Sequence, residues 1–157
     1  MVGAVSWILV AVLAVLLLVA AIGDLRSRTI PNWLTGAVAL LAIGWWWANG
    51  WALWPDIAIQ IAIALLLLLL FGALFAFGAM GGGDVKLIVA LALWLPPSVV
   101  PEMLMVMALA GGVLTIAMLI WHRWRKAEGR PEIPYGVAIV AAGWWVVANE
   151  LLTIPGS

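Results

Sequence analysis

The sequence predicts an all-α polytopic membrane protein of six transmembrane helices, and three observations carry this. First, 68% of the 157 residues are hydrophobic and 9% are charged. A soluble domain carries about 25% charged residues, and a chain this short cannot hide so much apolar surface in a core. Second, apolar runs recur along the chain at lengths close to the ~20 residues a helix needs to cross ~30 Å of hydrocarbon. Third, the runs do not alternate polar and apolar residues, as barrel strands would, which leaves helices as the structure that satisfies its own backbone in lipid. The same composition excludes an ordinary soluble domain, a disordered chain and a nucleic-acid binder. The lipid bilayer is the first expected partner, and residues 1–157 read as a single membrane domain.

The helices are expected in order as follows. The first covers residues 2–23. It begins without Lys or Arg and its run is longer than a signal peptide's apolar region, so it reads as a retained helix. The second covers residues 33–48 and follows Pro31 and Asn32, a turn and helix start. The third covers residues 55–77, with an unbroken leucine run at its centre. The fourth opens at Gly81, Gly82 and Gly83 and runs to Pro96 and Pro97. The fifth covers residues 101–121 and the sixth residues 134–152.

The seven cations sort onto one side of this arrangement. Arg26 and Arg28 lie between helices one and two, Lys86 follows the glycine run, and Arg123, Arg125, Lys126 and Arg130 lie between helices five and six. The positive-inside rule places these ends in the cytoplasm and both termini outside. Many of the 12 Trp fall near the helix ends, where their amphipathic rings suit the membrane interface.

Chemistry is confined to few residues. The chain has no Cys, which excludes disulfides, thiol catalysis and cysteine-ligated zinc. Its one histidine, His122, reads as part of an interfacial anchor. Two acids stand out: Asp24 closes helix one and Asp84 opens helix four, on the same membrane side. An acid within the bilayer costs about 2.5–3.5 kcal/mol on insertion scales. Residues 85–95 rise only ~16 Å as a helix, about half the hydrocarbon thickness. Asp84 is therefore expected below the surface, and glycine backbone at that depth calls for a wet cavity. Two carboxylates in one cavity can share a proton: one activates a water against a peptide carbonyl and the other protonates the leaving amine. Glycines without side chains let an extended substrate backbone come close.

Plainer readings stand beside these. Asp24 could pair with Arg28 at i,i+4, and Asp84 could simply cap helix four. Lys86, two residues from Asp84, faces elsewhere on a helix, so snorkelling to the surface is preferred to action on the cavity. Intramembrane acids beside a broken helix also mark ion paths, so a small transporter or ion-conducting protein using Asp24 and Asp84 is the alternative function. A non-catalytic assembly platform is a third.

Gly81-Gly82-Gly83-Asp84 matches the GxGD signature of intramembrane aspartyl proteases. The segment from Asp24 to Ile30-Pro31-Asn32 resembles the first-aspartate motif of prepilin peptidases, and Ile133-Pro134-Tyr135-Gly136 is similar to that family's last-helix motif. The resemblance implies the GxGD intramembrane aspartyl protease architecture in a bacterial inner membrane. It also implies removal of a prepilin leader peptide at the cytoplasmic face. Asp24 and Asp84 would be catalytic, with Gly81, Gly82, Gly83, Lys86, Arg28, Pro31 and Asn32 supporting the motifs or contacting substrate. No metal and no organic cofactor is implied. The short first loop and the lack of cysteine resemble the short form found with tight-adherence (Flp-type) pili, without a methyltransferase segment, so a Flp-type prepilin is the expected substrate. Whether the chain works alone or as a homo-oligomer is left open by the sequence.

Overall fold

A computed structural model describes residues 3–125 and 133–151. The expectations for Lys126 and Arg130 fall outside these residues. The described chain is all-helical: α1 (Ala4–Ser27), α2 (Asn32–Ala48), α3 (Ala58–Ala76), α4 (Gly82–Ala92), α5 (Val100–Trp124) and α6 (Tyr135–Val146). A wide turn at Leu53–Ile57 leads into α3, and another at Val147–Leu151 continues α6.

The helices are of two kinds. α1, α3 with its lead-in turn, and α5 are 24, 24 and 25 residues long and apolar enough to cross a membrane. α2, α4 and α6 have 17, 11 and 12 residues. Burial follows the opposite order. More than half of α4 and α6 is buried, including Leu87, Ile88, Leu91, Ile139 and Ala142, while α5 buries only Val100, Met103 and Gly111. α4 packs against α2, α3 and α6, and α6 packs against α1, α4 and α5. The short helices thus form the centre and the long ones turn apolar faces outward, as a lipid-facing surface requires. At Gly143 the centre is tight: a Cβ there would come within 2.9 Å of Leu17 and 3.2 Å of Leu91.

Two boundaries differ from the sequence expectation. α1 runs on to Ser27, so Asp24 lies inside the helix and not at its end. Leu25, Arg26 and Ser27 continue the turn, Ser27 Oγ donates to the Gly23 carbonyl at 2.9 Å, and Arg28 stops it. Arg28 adopts φ +54° in the left-handed region, and its N–H donates to the Asp24 carbonyl at 3.0 Å. This conformation is uncommon for a residue with a Cβ and costs roughly 1–3 kcal/mol. α4 ends at Ala92, short of Pro96. The amides of Trp94 and Leu95 turn back onto the carbonyls of Leu91 and Ala92 at 3.0 and 3.2 Å, and the prolines bias the preceding residue away from helix.

A helix that stops this early leaves carbonyls far from water. Two side chains from the neighbouring helices meet this end. Gln60 Nε2 on α3 donates to the Ala92 carbonyl, and Trp46 Nε1 on α2 donates to the Leu93 carbonyl at 2.7 Å. Trp94, fully buried, donates from Nε1 to the Val38 carbonyl of α2 at 2.9 Å and lies against Trp45 with ring centres 5.7 Å apart. Gln60 is the one polar side chain in α3, and this contact gives it a purpose. Replacing Trp46 by Phe keeps most of the packing but strips the donor from Leu93. We expect Trp46→Phe to lower stability by about 1–3 kcal/mol, the cost of a buried unpaired carbonyl. Thermal unfolding in mild detergent reads this directly, and an unchanged Tm would contradict the bracing role.

Candidate active site

Asp24, one turn before the end of α1, and Asp84, in the first turn of α4, line one cavity of about 200 Å³. Its remaining wall is Arg28, Thr29 and Ile30 from the link between α1 and α2, and Gly81, Gly82 and Gly83 from the turn into α4. At roughly 30 Å³ per water, the space holds several waters or a short stretch of extended backbone.

Each carboxylate is held by backbone. Asp24 is only 5% exposed. Its Oδ2 accepts the Val137 N–H at 3.2 Å, and the Gly136 amide lies close beside it. Both amides belong to the first turn of α6, where backbone N–H groups lack intrahelical acceptors. Such close approach needs a glycine: a Cβ on Gly136 would lie 2.7 Å from Asp24 Cγ. Asp84 is half-buried and its carboxylate lies against the Gly81 backbone. A Cβ on Gly81 would press on Asp84 Oδ2 at 3.0 Å. Asp84 also feels the charge of Asp24.

The glycine run brings α4 close to its neighbours as well as to substrate space. A Cβ on Gly83 would meet the Ile30 Cβ and carbonyl oxygen at 3.1 and 3.2 Å, and one on Gly82 would meet the Phe75 ring at 3.2 Å. The turn is therefore wedged between α3 and the α1–α2 link.

Of the residues singled out in the sequence, Asp24, Arg28, Gly81, Gly82, Gly83 and Asp84 come together at the cavity. Pro31 sits at the start of α2, as the sequence reading expected. Asn32 and Lys86 are elsewhere: they line a separate groove between α2, α3 and α4, where Lys86 Nζ donates to Asn32 Oδ1 at 2.8 Å. Sequence reasoning did not put Thr29, Ile30, Gly136 or the Val137 amide in the site. Ile30 and Gly136 carried a signal, since each lies in a motif already noted, and Gly136 is a glycine in the first turn of an apolar helix.

The arrangement suits acid–base chemistry on a carbonyl. Two carboxylates from different helices line a shared cavity, and a turn of glycines leaves part of its wall free of side chains. Among the described residues no group of three or more acidic, histidine or cysteine side chains could hold a metal ion.

Residues 11–116 match the model of the type IV leader peptidase family. Curated relatives carry the name prepilin leader peptidase/N-methyltransferase. The chain is 38% identical to the one from Neisseria gonorrhoeae over 85 residues, 48% of this chain and 27% of that protein. It is 37% identical to the one from Pseudomonas aeruginosa over 65 residues, 41% of this chain and 21% of that protein. It is 34% identical to the one from Pectobacterium carotovorum over 133 residues, 81% of this chain and 46% of that protein. The chain thus spans less than half the length of these relatives. No solved structure matches.

Proposed function

The chain belongs to the type IV leader peptidase family, and from this premise we propose that it is a membrane aspartyl endopeptidase that removes the leader peptide of a prepilin. One observation carries the reading: Asp24 and Asp84, from different helices, share one cavity that the glycine turn also lines. In the proposed reaction a water lies between the two carboxylates. The ionised one takes a proton from the water as it attacks the scissile carbonyl. The protonated one gives its proton to the departing amide nitrogen as the carbon–nitrogen bond breaks. The free carboxylates share one proton before and after, so the cycle closes without a covalent intermediate.

The substrate we infer is a small Flp-type pilin with a basic leader and an apolar helix. The cationic helix ends of this chain then face the cytoplasm, where such a leader would be cut. We further propose cleavage without methylation of the new N-terminus. α1 and α2 are joined only by residues 28–31, and the chain has no cysteine.

The test is co-expression with a Flp-type prepilin, followed by gel shift and mass spectrometry of the product. The expected product has lost its leader and carries a free amine. An intact prepilin would overturn the peptidase reading. A product one methyl group heavier would overturn only the second part.

A further inference from the structure

Lys86 lies two residues from Asp84, which on a helix turns it about 200° away. It is exposed, and its side chain lies in the groove on the far side of α4 from the Asp24–Asp84 cavity. Its Nζ ends 2.8 Å from Asn32 Oδ1, at the first residue of α2. On the other side of the same α4 turn, Gly83 is pressed onto the backbone of Ile30. Ile30 and Asn32 flank Pro31, whose fixed φ stiffens the segment. The first turn of α4 is thus gripped twice by one short stretch, residues 30–32. Asp84 sits between the two grips, and Asp24 lies on the helix that runs directly into that stretch.

We propose that Lys86 and Asn32 are positioning residues: their hydrogen bond fixes where α4 begins and so sets the separation of Asp84 from Asp24. Lys86 acts through Asn32 and not on the substrate or the carboxylates. This rests on the peptidase reading for its effect on rate, while the effect on separation stands independently of it.

The test has two arms. In the first, cleavage kinetics are measured for Lys86→Met, Asn32→Leu, the double variant, and the exchange of Lys86→Asn with Asn32→Lys. Misplaced reacting groups cost rate and not binding. Each single variant is expected to lower kcat about tenfold or more with KM within about twofold. The double variant should be no worse than the worse single one, and the exchange should recover most of the rate. A raised KM with unchanged kcat would mean that Lys86 touches substrate. Multiplying effects in the double variant would mean that the two do not act together. Either result overturns the proposal.

The second arm needs no activity. The chain has no cysteine, so Asp24→Cys with Asp84→Cys makes the one thiol pair available to a short bifunctional methanethiosulfonate. Cross-linking yield in membranes is expected to fall when Lys86→Met is added and to return in the exchange background. Equal yield in all backgrounds would overturn the proposal. If the unmodified chain fails to cleave any prepilin, the peptidase reading falls, and this second arm still decides the positioning role.

Discussion

Replacing Asp24 or Asp84 by asparagine is expected to lower leader hydrolysis by about 10²–10⁴-fold in each case, the range general acid–base groups supply. The substitution keeps the shape of the side chain and removes its ability to take or give the proton. Asp24→Asn retains an amide oxygen that can still accept the Val137 N–H, now made at 3.2 Å, so the contact between α1 and α6 should survive. Asp84→Asn likewise keeps a first-turn side chain of the same size against the Gly81 backbone. Residues that act as one unit are not additive, so the double variant should be little slower than either single one. The measurement is the rate of leader loss, with detergent extraction and size-exclusion profiles confirming that each variant inserts and folds. An unchanged rate in either single variant would end the assignment of that residue.

The second large effect is expected at Gly136, which touches no substrate in this scheme. Adding one methyl group there puts a Cβ 2.7 Å from Asp24 Cγ and 2.8 Å from its Oδ2. Asp24 is 5% exposed and has little room to withdraw. Retreat of α6 is resisted two turns further in by the tight crossing at Gly143, Leu17 and Leu91. The carboxylate must rotate or its hydrogen bond to Val137 must lengthen. A misplacement of the reacting group by about 1 Å can cost about 10²-fold, and Gly136→Ala is expected to lose kcat on that scale. Gly112→Ala on α5 is the control, because a Cβ there meets nothing within 4 Å; it should leave the rate unchanged. A fully active Gly136→Ala would show that the close approach of α6 to Asp24 does not matter to the chemistry.

How much of this was legible in the sequence depends on the range of the forces involved. Helix number and order follow from local apolar length, and the breaks at Gly81–Gly83, Pro31 and Pro96 are written in the residues that make them. The scarcity of charge singled out Asp24 and Asp84, because an acid near lipid needs a reason to be there. What local pattern could not supply is contact between distant segments. The stop of α1 at Ser27, beyond Gly23, depends on Arg28 accepting a left-handed conformation, which its residue type does not announce. Gln60 is a lone polar residue in a leucine-rich helix, and only the end of α4 packed beside it accounts for it. Lys86 could be given its direction away from Asp84 by helical spacing, but not its partner Asn32, 54 positions earlier. Gly136 was visible as part of a motif, and only the packing of α6 on α1 shows what its missing side chain allows.

The early stop of α4 also shapes the electric field at its other end. A helix carries roughly half a positive charge at its N-terminus and half a negative one at its C-terminus. In α4 the negative pole is buried against Trp46 and Gln60, whose N–H dipoles partly compensate it, while the positive pole opens at Gly81–Gly83 on the cavity. Little water lies along the helix to screen it, since most of its side chains are buried. Under the proposed peptidase reaction, an oxyanion formed beside this turn would meet the free amides that begin α4. The glycines would then do more than make room: they leave the pole of the helix uncovered where the negative charge develops.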